Sequence, residues 1–198
     1  MYTFDDGKFA VKTARSVIEN FVLRKSFSPV PPSDVWLQKS GVFVTILTYP
    51  EKDLRGCIGI PEPVMPLIDA LRDSAQSATR DPRFPPLDKY EFDKIVVEVS
   101  ILTPPEIVKV RSPKDYIKEI KIGRDGLIAE LGYNRGLLLP QVPVEWKWNV
   151  EEFLAETCIK AGLAPDSWLE KEFKLYKFQA EIFAEMEPYG KIERKTIS

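Results

Sequence analysis

Gly41-Val42-Phe43-Val44-Thr45-Ile46-Leu47-Thr48-Tyr49-Pro50-Glu51-Lys52-Asp53-Leu54-Arg55-Gly56-Cys57-Ile58-Gly59-Ile60 reads as a β-hairpin. Residues 41–49 are rich in β-branched and aromatic side chains, 50–53 have turn composition, and 54–60 return as a second strand. That second arm carries the most unusual residues of the chain, a cysteine between two glycines and two residues after an arginine. Glycine neighbours strip cover from a thiol, and a nearby guanidinium favours its thiolate. Residues two apart on a regular strand share a face, so Arg55 and Cys57 are predicted side by side, with Gly56 and Ile58 turned away.

Outward from the hairpin, helical and strand periods alternate irregularly. Phe9, Ala10, Thr13, Ala14, Val17, Ile18, Phe21 and Val22 form one helical stripe that Asp5 or Asp6 can cap, and Ser28–Ser33 is a stiff, proline-rich connector. After Pro61-Glu62-Pro63, the spacing of Val64, Leu67, Ile68, Leu71, Ala75 and Ala78 predicts an amphipathic helix, and 80–87 is a proline-rich loop. Residues 95–102 alternate as a strand, with Ile95, Val97, Val99 and Ile101 on one side and Glu98 and Ser100 on the other. A short helix near 113–120 and a hairpin of 127–131 with 136–139 follow. Asn149 and Glu152 make a capping box for a helix that Gly162 ends. From Tyr176 to Met186 strict alternation predicts one long half-buried strand. Hairpins interrupted by single helices mean an α+β fold, its largely antiparallel sheet or sheets flanked by helices.

Composition narrows the chemistry. The 198 residues are 44% hydrophobic and 29% charged, as in a soluble protein, with a net charge of -2 that gives no overall positive field for nucleic acid. No apolar run approaches membrane-spanning length and the first residues lack a signal-peptide pattern, so the expected setting is the cytoplasm, where Cys57 and Cys158 stay free thiols. There is no histidine. A Cys-His or Ser-His pair and every His-ligated zinc site are thereby excluded, two cysteines cannot build a thiolate cage, and neither metal nor cofactor is expected. Many Lys and Glu, few Asn and Gln, and 17 prolines lean towards a thermophile.

Two readings of Cys57 stay open: a small residue packed in a strand, or a reactive thiol whose anion Arg55 stabilises. Without histidine, proton transfer would fall to a carboxylate such as Glu98, for which a pairing with Arg55 is the expectation. Arg83, held among prolines, suits either an anion or a salt bridge to a nearby aspartate. Cys158 falls on the apolar stripe of its helix and reads as core. Trp146, Trp148 and Trp168 read as packing residues. The glycine pairs at 123/126 and 132/136 fit turns, not nucleotide fingerprints.

Together, Leu54–Gly59, Asp81-Pro82-Arg83-Phe84-Pro85-Pro86-Leu87, Glu98-Val99-Ser100-Ile101-Leu102-Thr103 and Leu139-Pro140-Gln141-Val142-Pro143 resemble the AMMECR-one domain family, in the family's order and over nearly the whole chain. The resemblance implies an archaeal or bacterial protein of unassigned function. It implies a single domain over 1–198 with two unequal lobes and a cleft, the inserted lobe being roughly 34–87. It also implies work alongside Memo-like and radical-SAM proteins. On that basis the chain is expected to be an interaction or substrate-presenting module centred on Leu54–Gly59, with Gly56, Gly59, Arg83 and Gln141 as candidate binding residues. The alternative is an enzyme with Cys57, Arg55 and Glu98 as its catalytic candidates.

Overall fold

A computed structural model describes residues 2–196. In chain order its elements are α1 (Phe4–Val22), β1 (Val42–Thr48), β2 (Leu54–Ile60), α2 (Leu67–Ala78), β3 (Ile95–Leu102), β4 (Glu106–Ile107), α3 (Tyr116–Glu119), β5 (Gly126–Leu131), β6 (Asn134–Leu138), α4 (Val142–Glu145), α5 (Val150–Lys160), β7 (Lys174–Phe178), β8 (Ala180–Glu185) and β9 (Ile192–Lys195). The strands form one sheet in the order β2-β1-β3-β8-β9 and another in the order β4-β7-β5-β6. This is the expected α+β class. The chain divides into two compact units, one of residues 1–102 with 181–195 and one centred on 103–180. Residues 34–87 lie inside the first unit, with α1 and β3.

In the first unit the alternating residues Val42, Val44 and Ile46 of β1 stand in register with Ile101, Val99 and Val97 of β3, and all six are fully buried. Their face meets the stripes of α1 (Ala10, Val11, Ala14, Val17, Ile18) and α2 (Leu67, Leu71, Ala75, Ala78) in one core. The cap of α1 is Thr3, whose hydroxyl accepts from the Asp6 N–H, while the Asp6 carboxylate accepts from the Thr3 N–H. Asp6 is thus the reciprocal partner of the cap, three residues into the helix. Trp36 is fully buried and packs edge-on against Phe9, ring centroids 4.7 Å apart. α2 starts at Leu67, so Val64 precedes the helix and is exposed.

One ion pair sits inside this unit. Arg15 of α1 donates through Nε and Nη2 to Glu185 of β8 at 2.6 and 2.5 Å, and both side chains are buried. Glu185 also accepts from the Val97 N–H (2.9 Å), and Arg15 donates to the carbonyls of Ile95 (2.8 Å) and Phe92 (3.1 Å). The outer face of the guanidinium is covered by the Tyr189 ring, 4.4 Å away.

The second unit packs α5 against β5 and β7 through Leu127, Ala129, Phe153, Leu154, Cys158 and Leu175, all fully buried. Asn149 and Glu152 form the expected capping box. Gly162, with φ +75°, closes the helix, and the Leu163 N–H reaches back to the Cys158 carbonyl. Cys158 and Trp168 are core residues as read from the sequence, and Trp148 packs against that core. Trp146 departs from the reading. It is 68% exposed and stacks on Trp148.

The long strand expected from Tyr176 to Met186 is two strands in two sheets. β7 pairs with β4 and β5, whereas β8 pairs with β9, and the chain changes sheets at Gln179. There the Gln179 N–H donates to the Thr103 hydroxyl and its carbonyl accepts from the Thr103 N–H. Alternation survives the break because each half keeps one face buried, and period two reports a buried face without saying which sheet owns it.

Replacing Glu185 with Ala removes the bidentate partner of the buried Arg15 guanidinium and leaves it Glu19 at 3.5 Å and the carbonyls of Phe92 and Ile95. The expected loss is ~3–5 kcal/mol of unfolding free energy, read from urea denaturation.

Candidate functional site

β2 is an edge strand of the first sheet, and Cys57 lies on it. Cys57 stands opposite Thr45 of β1, which in turn stands opposite Glu98 of β3. An edge strand leaves backbone groups unpaired on its outer side, and these must be covered or solvated. Here two side chains of the loop after α2 take them. The Asp81 carboxylate accepts from the Cys57 N–H at 2.8 Å, and Arg83 Nη2 donates to the Cys57 carbonyl at 3.3 Å. Asp81 and Arg83 are joined to each other by Nε–Oδ1 (3.0 Å) and Nη2–Oδ2 (2.6 Å), and Asp81 accepts the Arg83 N–H as well (3.1 Å). The salt bridge to an aspartate is therefore the role Arg83 takes, and the carboxylate and guanidinium together act as a side-chain substitute for a neighbouring strand.

The glycines of the motif serve this arrangement. A Cβ on Gly56 would lie 2.4 Å from the Ala78 carbonyl oxygen at the end of α2, so only glycine lets the helix end come close enough to deliver Asp81. A Cβ on Gly59 would strike the Phe43 ring at 2.3 Å.

Arg55 is not where the period predicts. The β1–β2 register runs Ile46 to Gly56 and then Leu47 to Leu54, so Arg55 is the extra residue of a bulge. A bulge breaks the alternation that would have set Arg55 beside Cys57. Its guanidinium binds Glu91 through two contacts, Nε–Oε2 at 2.7 Å and Nη2–Oε1 at 2.9 Å. Glu98 is likewise not its partner, because Glu98 pairs with Lys195 of β9 at 2.6 Å. Of the three catalytic candidates, only Cys57 and Glu98 share a row of the sheet, with Thr45 between them. Gln141 belongs to the second unit, immediately before α4, where its Oε1 is buried without a hydrogen-bond partner among the described residues.

The electrostatics follow from these contacts. Burial raises the pKa of the Cys57 thiol, against the smaller pull of the Thr45 hydroxyl (3.3 Å) and of Arg83, so the group is a neutral thiol at pH 7. Burial pushes Cys158 up to about 11. The Arg83 hydrogen bonds hold the Asp81 carboxyl well below the ordinary range, with the Cys57 N–H adding to the effect. For Glu91, burial opposes ionisation, but the Arg55 contact and the Asp88 N–H outweigh it and lower its pKa. Among the described residues, no cluster of three or more Cys, Asp or Glu could hold a metal ion.

Asp81, Glu91 and Thr45 carry the geometry, and the sequence reading named none of them, giving Arg83 only an unspecified nearby aspartate as one of two options. Asp81 lies in the quoted loop block, but its reach to β2 depends on where α2 ends. Thr45 could have been found only from a hairpin register that the bulge conceals.

With this geometry in view, comparison with known proteins is specific. The AMMECR1 family model matches residues 11–183. The chain belongs to the AMMECR1 family. Among its relatives, Protein MJ0810 of Methanocaldococcus jannaschii is 58% identical over 198 residues, covering 100% of this chain and 98% of the relative. Protein PH0010 of Pyrococcus horikoshii is 52% identical over 199 residues, covering 96% of this chain and 95% of the relative. The crystal structure titled as that of the uncharacterized protein PH0010 matches with a TM-score of 0.87 at 50% identity, covering 96% of each chain. The PH0010 structure thus shares this fold over 96% of each chain, and the names of these relatives carry no assigned activity.

Because Asp81 has a depressed pKa in the folded state, its contribution to stability is full above the unfolded value near ~3.9 and is lost as pH falls towards the folded one. Asp81→Asn is expected to cost about 1–3 kcal/mol at pH 7, towards the lower end because Arg83 is half exposed, and the gap to the wild type should shrink below about pH 4 in urea titrations.

Proposed function

We propose that this AMMECR1-family chain is an interaction or substrate-presenting module that works through the surface around Leu54–Gly59 and the loop clamped to it. The observation that carries the reading is the clamp itself. Both outward backbone groups of Cys57 are engaged by Asp81 and Arg83, the Arg55 fork is held by Glu91, and burial keeps the thiol protonated. A nucleophile needs the reverse, an accessible thiolate beside an unengaged cation or base. What the clamp leaves in water is a surface. Pro82, Arg83, Pro85 and Pro86 are exposed on a loop whose backbone is preset by proline and pinned at both Asp81 and Leu87. Such a segment loses little conformational entropy when a partner docks.

Memo-like and radical-SAM proteins are the partners in this proposal, the classes that the family resemblance implies, and the cytoplasm is its setting. Two free cysteines suit that compartment. No helix among the described residues is long and apolar enough to cross a membrane. Tested by biolayer interferometry with the purified Memo-like and radical-SAM proteins of the same genome, the chain should bind at least one of them. Pro85→Glu, which places a charge on the exposed loop without touching the clamp, should weaken that binding at least tenfold. Absence of binding by the wild type to either protein would overturn the module.

The competing enzyme reading, with Cys57 as nucleophile, Arg55 as anion stabiliser and Glu98 as proton carrier, makes the opposite demand on the thiol. Iodoacetamide labelling across pH should give Cys57 an apparent pKa above that of a free cysteine, ~8.5. Fast labelling at pH 6 would favour the enzyme.

A further inference from the structure

The ends of α1 and α2 enclose a hollow of about 130 Å³ on the first unit, walled by Phe21, Arg24, Thr79, Arg80, Pro86 and Leu87. We propose that it binds a small phosphate ester, the phosphate between Arg24 and Arg80 and the apolar group against Pro86 and Leu87. The inference goes beyond the docking surface proposed above and does not depend on it.

The two arginines carry the argument. The chain has ten arginines, at positions 15, 24, 55, 72, 80, 83, 111, 124, 135 and 194. Seven have a carboxylate within ion-pair distance: Arg15, Arg55, Arg72, Arg83, Arg124, Arg135 and Arg194. Among the described residues that leaves Arg24, Arg80 and Arg111, and two of those three line this one hollow. Acids nearby in the sequence are engaged elsewhere: Asp81 with Arg83, Glu91 with Arg55, Asp88 with the Tyr90 N–H, and Glu19 facing Arg15. Nor do the guanidiniums serve as helix caps. The last carbonyls of α1 are taken by the N–H groups of Leu23, Arg24 and Lys25, and those of α2 by the N–H groups of Thr79 and Arg80 and the Thr79 hydroxyl.

Arg80 is also preorganised. Its guanidinium lies over the Phe21 ring, 4.6 Å from the centroid, so less rotamer freedom is lost when it binds. The far wall is fixed as well, since the Leu87 N–H donates to the Thr79 carbonyl and Pro86 is in reach of Arg55. Arg24 and Arg80 reach the hollow from the ends of separate helices, and two guanidinium forks suit a tetrahedral dianion, which offers acceptor oxygens in several directions, better than a carboxylate, whose single planar edge one fork satisfies. The volume is well under the ~300–1,000 Å³ of a drug-sized site, so the ligand is a phosphate with one small apolar group.

The test is isothermal titration of the full chain, at low ionic strength, with phenyl phosphate, inorganic phosphate and benzoate. Phenyl phosphate should bind saturably and more tightly than either of the others. Arg24→Ala and Arg80→Ala should each weaken it about tenfold, while Arg111→Ala, the third unpaired arginine, should not; both hollow residues are exposed, and unchanged amide spectra of the variants verify their fold. No saturable binding, equal binding of benzoate or inorganic phosphate, or the same loss in Arg111→Ala would each overturn the site. Failure of protein docking in interferometry would leave this result standing, and failure here would leave the docking result standing.

Discussion

The outer edge of β2 presents an N–H and a C=O at Cys57 that no strand pairs, and the end of α2 and the loop after it are arranged to cover them. The cover comes from side chains twenty-four and twenty-six residues on, and it works only if the end of α2 lies close against the strand. Gly56 provides that approach, the helix end delivers Asp81, and Arg83 completes the pair of backbone contacts. Prolines at 82, 85 and 86 then preset the loop backbone, and the Pro86 carbonyl accepts from Arg55 at 3.5 Å. The glycine-cysteine motif and the Asp81–Leu87 loop are two halves of one clamp.

This dependence changes what the cysteine is for. At position 57 the useful properties are a small side chain that fits beside Thr45 and backbone groups that face outward to the clamp. The motif's arginine is pulled away by the bulge to Glu91, and the cation near the thiol is Arg83, whose charge is largely matched by Asp81. Cys57, Asp81 and Arg83 are in three dimensions also the parts of an edge closure, and its loop is exposed.

The sequence made the faces legible but not the joins. Period two placed Ile95, Val97, Val99 and Ile101 on a buried face, and the capping box at Asn149 was readable because its partners are three residues apart. It failed at Arg55 and at Gln179 for one reason. A bulge and a change of sheet are set by what the strand pairs with, and pairing partners are remote in sequence. The site suffered the same way. Cys57 and Arg83 could be singled out by composition, but the contacts of Asp81 with Cys57, Glu91 with Arg55 and Lys195 with Glu98 span more than twenty positions each.

The chain uses the same device twice, and the difference between the two uses bears on function. In each, a carboxylate accepts a strand N–H while its paired guanidinium donates to a strand carbonyl: Glu185 and Arg15 on Val97 and Ile95, Asp81 and Arg83 on Cys57. Arg15 is sealed under Tyr189 and within the core, where desolvation of both charges offsets much of their attraction, so the pair fixes how α1, β3 and β8 meet more than it adds stability. Asp81 is equally buried, but Arg83 keeps 54% of its side chain in water. Leaving the guanidinium exposed spares the cost of desolvating it, and on a loop already rigid it keeps a charged group in water, the feature that the proposed docking surface draws on.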